Sequence, residues 1–128
     1  MKYNFENIYE HLGYLFFSVA TPRGELSADS YLTLRSIISQ HWLPAGADTT
    51  LDARLAMHIF KAIDTAVAEK VTRANALGYF KSFYHIHRMA FSASFRHKII
   101  ATINALAQVF KPNPQQLLVA IAFNDAAF

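Results

Sequence analysis

Apolar residues recur at helical spacing almost from the first position of this chain. Phe5, Ile8, Tyr9, Leu12, Phe16 and Val19 fall at i, i+3, i+4, i+7, i+11 and i+14, a single stripe with the helical period. Asn4 stands where an N-cap is wanted, and Glu6 follows at the positive end of the helix dipole. Tyr14 and Phe17 lie off the stripe, so this helix is apolar around much of its girth and is expected at the centre of the fold. Pro22 and Gly24 end it. Ser27 caps a second helix with Tyr31, Leu34, Ile38 and Trp42 on one side, closed by Pro44, and residues 43–49 read as a loop.

The pattern continues in the same way to the C-terminus. Thr49 or Thr50 opens a third helix running to about Glu69, with Leu51, Leu55, Ile59, Ile63 and Val67 spaced by fours. Thr72 opens a fourth, carrying Leu77, Phe80, Tyr84 and His87 along one side, and Ser92 or Ser94 opens a fifth with Ile99, Ile103, Leu106 and Phe110. In KPNPQQ, Asn113 is a cap, Pro114 takes the first helical position and Gln116 the third, which is a capping-box arrangement ahead of Leu117, Leu118 and Ile121. No alternating strand pattern lies between turns. The expectation is an all-α fold, a compact bundle of six helices with short loops, forming one domain over residues 1–128.

Composition sharpens this picture. The hydrophobic fraction is 53% and the charged fraction 16%, against about 25% charged in an ordinary globular domain. Such a chain builds a tight core, or keeps one apolar face for a partner. Cysteine is absent, which excludes a disulfide framework, a thiolate nucleophile and a Cys-based zinc site. The longest uncharged runs, 99–110 and 112–124, fall short of the roughly 18 apolar residues that a membrane span needs. Glu6 and Glu10 interrupt the first apolar pattern and no small-residue cleavage site follows, so a secretory signal is not expected and the cytoplasm is the expected compartment.

The net charge of +3 conceals a division. Residues 1–69 carry five bases and eight acids, whereas residues 70–124 carry seven bases and no acid. Within the basic part, Lys81, His85 and Arg88 stand at i, i+4 and i+7 and line one edge of the fourth helix. Arg96 and Lys98 are expected in the first turn of the fifth, where free N–H groups, the Ser92 and Ser94 hydroxyls and these cations would suit an anion. A solvated basic face explains the same residues, and seven cations over this length are sparse for a nucleic-acid binder. The acidic part of one chain could also meet the basic part of another, or of an acidic partner.

Other chemistry finds less support. His85 and His87 sit two positions apart on a helix and so point to opposite sides, while His11, His41, His58 and His97 are scattered; no metal site is expected of them. Serine occurs at capping positions and in no G-x-S-x-G elbow, and the four glycines form no phosphate loop.

The run HLGYLFFSVATPRGELSADSYLTLRSIISQHW, taken up again by ATINALAQVFKPNPQQLLVAIA, resembles TerB-like domains of the tellurite-resistance family. The resemblance implies an all-helical fold with two helix–loop–helix pseudo-repeats and a stress-response association. In many members it also implies acidic residues suited to a divalent ion, as Asp-Gly in the loop and Glu three residues after the cap. This chain departs from that pattern: Arg23 precedes Gly24, Ser30 follows Ser27, Lys111 and Pro112 stand in the second loop, and Gln116 replaces the Glu. Glu25 and Asp29 are nearby but off the motif positions. A hard cation wants several anionic oxygens, so no metal and no other cofactor is expected, and TPRGELSADS reads as a turn and a cap. The function expected is non-enzymatic: a helical module binding a protein partner, including a second copy of itself. The alternative is an anion- or nucleic-acid-binding module using Lys81, His85, Arg88, Arg96 and Lys98.

Overall fold

Short-range hydrogen bonds set the helix ends before packing arranges them. The computed structural model describes residues 4–43 and 51–126, and every regular element among them is helical. These are α1 (Phe5–Ala20), α2 (Ala28–Trp42), α3 (Leu51–Ala68), α4 (Arg73–His87), α5 (Ala93–Phe110) and α6 (Pro114–Ala126), with a single 3₁₀ turn, Arg88–Ala90, between α4 and α5. Asn4, Ser27, Thr72 and Ser92 each accept the backbone N–H three residues on, and so cap α1, α2, α4 and α5. Ser92, not Ser94, is thus the cap of α5. At α6 the capping box is complete: Asn113 Oδ1 accepts from Gln116 N at 2.8 Å, and Gln116 Oε1 accepts from Asn113 N at 3.0 Å. The capping roles of Thr49 and Thr50, and the closing of α2 by Pro44, lie outside the described residues.

Packing places α1 in the middle. It buries residues all round, from Ile8 and Tyr9 to Val19 and Ala20, and packs most extensively on α3, then α4 and α5. The α1–α3 crossing is close because position 13 has no side chain. A Cβ on Gly13 would lie 2.5 Å from the Ile59 carbonyl oxygen and 2.7 Å from Ala62 Cβ. On the α5 side, Trp42 of α2 donates Nε1–H to Thr102 Oγ1 at 2.9 Å, and its ring meets Tyr9 and Phe95 edge-on. Arg35 ties α2 to α3 by lying 4.3 Å from the Phe60 ring centroid beside Asp64.

Two expectations change at helix ends. Leu51 and Val67 are exposed, and α3 instead buries Leu55, Ala56, Ile59, Phe60, Ala62, Ile63 and Ala66. A spacing of four overshoots a full turn by about 40°, so a line of five such residues swings off the buried face at both ends. His87 likewise ends exposed, beside the Phe83 ring, while Ala76, Leu77, Phe80 and Tyr84 form the buried stripe of α4.

The loops after α1 and α5 lie side by side. Gly24, at φ +109°, completes a turn by donating its N–H to the Thr21 carbonyl. Arg23 Nη1 reaches the Phe110 carbonyl at the C-terminus of α5 at 3.4 Å, and Gln116 Nε2 donates to the Pro22 carbonyl at 3.0 Å. Lys111 adopts the left-handed conformation at φ 51° and returns its N–H to Ala107. Where the family resemblance would seat acids, this chain ties one loop to the other.

Candidate functional site

The site forms because α4 and α6 both lean on α1 while touching one another little. α4 turns Phe80 and Tyr84 inward, leaving Lys81, Ser82 and His85 on its exposed flank. α6 carries the unbroken apolar run Leu117–Phe123. It spends Ala120 and Phe123 on the core and leaves Leu118 exposed. Between the two helices opens a groove of about 570 Å³, a volume within the roughly 300–1,000 Å³ usual for small-molecule sites.

The groove has a greasy floor and a cationic rim. Tyr84, Ala122 and Phe123 line it below, Ile86 flanks it, and Lys81, His85 and Arg88 stand along one edge. Ile86 is 75% exposed. Tyr84 meets Phe91 at 4.8 Å and Phe123 at 5.1 Å in edge-to-face contacts, which holds its ring in place. Beyond Lys81 a second recess of about 480 Å³ follows the same seam past Leu77 and Val119 to Gln116.

One polar atom stands out. Tyr84 is only 5% exposed, and its hydroxyl is the one buried side-chain polar atom among the described residues without a hydrogen-bond partner. The buried serine and threonine hydroxyls are engaged: Ser18 with Leu15, Thr21 with Phe17, and Thr102 with Lys98 and Trp42. An unmet buried hydroxyl costs about 1–3 kcal/mol, so its presence in a groove wall calls for an explanation. Burial holds its pKa above the usual tyrosine value, against the opposing pull of Arg96 and Arg88. It therefore stays a donor at neutral pH.

Of the five residues assigned to an anion site from the sequence, the structure brings Lys81, His85 and Arg88 together on the groove. Their side chains make no hydrogen bond or ion pair among the described residues. Arg96 and Lys98 do not join them on the rim. Since α5 begins at Ala93, Arg96 closes its first turn and Lys98 falls in the second. Arg96 donates from Nη1 to the Phe91 carbonyl at 2.7 Å and from Nε to Asn124 Oδ1 at 3.2 Å, bracing α5 against α6. Lys98 Nζ lies 4.3 Å from the Trp42 ring centroid. Ser92 Oγ accepts from Phe95 N and lies 3.3 Å from Ser94 Oγ. Sequence reasoning counted Tyr84 as core, and no sequence signal marks a hydroxyl that finds no partner.

Further sites are sparse. Among the described residues no three His, Asp or Glu side chains gather closely enough to hold a metal, and no helix is long and apolar enough to cross a membrane. Fold and site define an all-helical protein with a cation-rimmed apolar groove. No family model, no curated protein and no solved structure matches the chain.

Proposed function

We propose that this protein is a non-enzymatic helical binding module whose working surface is the α4–α6 groove, and that what it binds there carries negative charge. The observation that carries the reading is the unpartnered Tyr84 hydroxyl beneath Lys81, His85 and Arg88. A donor buried without an acceptor, beside Lys81 and Arg88 side chains that form no ion pair among the described residues, suits a bound anion. Ser82 and His85 share no hydrogen bond among the described residues, and catalysis has no part in the proposal. The test is thermal denaturation with three anionic probes: dodecanoate below its micellar concentration, an acidic peptide and a single-stranded oligonucleotide. At least one raises the melting temperature, because a ligand of the native state stabilises it, and the shift disappears in a Lys81→Glu/Arg88→Glu variant. No shift with any probe, or an equal shift in the variant, overturns the reading.

A second reading, self-association, is favoured by a different recess. Leu26, Ala28, Tyr31, Leu32 and Val67 form an apolar hollow of about 480 Å³ between α2 and α3, with Asp64 at its edge. Its exposed Leu32 and Val67 offer apolar surface for a second copy to cover. Light scattering after size exclusion at low and high salt tests it, and a strict monomer at both excludes it. Within the same proposal, a TerB-like stress-response role rests on the sequence resemblance, and tellurite sensitivity of a deletion strain tests it separately.

A further inference from the structure

We infer that the occupant of the α4–α6 groove is a single-chain amphiphile with a carboxylate head, that is, a fatty acid or a molecule built like one. The inference rests on the groove reading above and narrows it to one ligand chemistry.

Three features select this class. First, the floor is apolar, built from Phe123, Ala122 and the Tyr84 ring, with the exposed Ile86 beside it. A hydrocarbon chain gains from covering such a surface, and a free inorganic anion does not. Second, both walls are helices whose interior backbone groups are already hydrogen-bonded. An extended peptide laid between them would bury amides that the walls cannot satisfy, and a nucleic-acid strand would leave most of its phosphates without cations. An alkyl chain brings no polar group except at its head. Third, the polar provision matches one small anion. Tyr84 Oη is a single donor in the electrostatic field of Arg88 and Arg96, with His85 and Lys81 along the rim.

The head group sits at the Arg88 end, accepting from Tyr84 Oη, and the chain runs along Phe123 toward Lys81. Oη is closed from solvent, so the head reaches it once a neighbouring side chain shifts, an ordinary adjustment on binding.

The experiment is calorimetric titration of the whole chain, below micellar concentrations, with octanoate, decanoate and dodecanoate, with acetate as the head alone and dodecyltrimethylammonium as the tail with reversed charge. Dodecanoate binds saturably at one site, and each methylene removed weakens binding roughly two- to fourfold. Acetate shows no binding, and the cationic amphiphile binds at least about tenfold more weakly than dodecanoate. Tyr84→Phe weakens dodecanoate binding roughly tenfold without lowering the melting temperature of the ligand-free protein, a pairing that a purely structural role for the hydroxyl does not produce. Lys81→Glu/Arg88→Glu weakens it further, and circular dichroism confirms that each variant is folded. Affinity independent of chain length, equal binding of the cationic amphiphile, or unaltered binding by both variants overturns the inference. If the acidic peptide or the oligonucleotide stabilises the protein and dodecanoate does not, the inference fails and the groove reading stands. If no anion does, both fail.

Discussion

Trp42 shows how single side chains hold this protein together. Its Nε1–H is buried between α2 and α5, and Thr102 Oγ1 is its acceptor. Thr102→Val keeps the shape and removes that acceptor, leaving a buried donor unmet at a cost of about 1–3 kcal/mol. Thermal denaturation should show a clear loss for Thr102→Val and a smaller one for Thr102→Ser, which retains the hydroxyl. Tyrosines act together at high pH. Tyr9, Tyr14 and Tyr84 have their pKa raised chiefly by burial, and Tyr31 chiefly by its hydrogen bond to Asp64. Each is raised from 10.0, so above that pH the unfolded chain gives up protons that the folded chain retains. Their contribution is intact below the unfolded value and is lost as pH climbs through the folded ones. Melting temperatures measured from about pH 8 to pH 11 should hold level and then fall; a level curve throughout would contradict the assignment. Residue chemistry was legible in the sequence where it is local. The box formed by Asn113 and Gln116 spans three positions and was readable, whereas Arg23 meets the Phe110 carbonyl across 87 positions, which no period reveals.

At the scale of elements, the α1–α3 crossing matters most, and Gly13 sets its distance. Helix propensity alone favours Gly13→Ala by about 1 kcal/mol. The added methyl would drive into the Ile59 carbonyl and Ala62, and separating the helices costs about 1–3 kcal/mol. A fall in melting temperature of roughly 3–6 °C is expected, and a rise would mean that the crossing is looser than described. Number and order of helices followed from apolar periodicity and caps, because both are written in neighbouring residues. Periodicity misplaced Leu51 and Val67 in the core, since spacing by fours does not follow a straight face. Charge and helix position grouped Arg96 and Lys98 with Lys81, His85 and Arg88, whereas Arg96 turns to Phe91 and Asn124 and Lys98 to Trp42. Those partners come from other elements or across a turn, and only the assembled bundle brings them within reach.

For the whole molecule, the acid-free half and the apolar surplus meet at one place, the seam between α4 and α6. The apolar run of α6 buries only part of its circumference, and α4 sets Lys81 and Arg88 beside it, with no ion pair to either among the described residues. Composition announced a surplus of apolar surface but not its position, because core stripes and ligand-facing stripes share one period. The central claim is that Tyr84 keeps its hydroxyl for a ligand, at the expense of the empty protein's stability. Its most direct test is the melting temperature of Tyr84→Phe measured without ligand. A rise of a few degrees is expected, reflecting removal of an unmet hydroxyl worth about 1–3 kcal/mol. A fall would show that the hydroxyl has a structural partner in the folded protein, and the groove would lose the donor on which its function is argued.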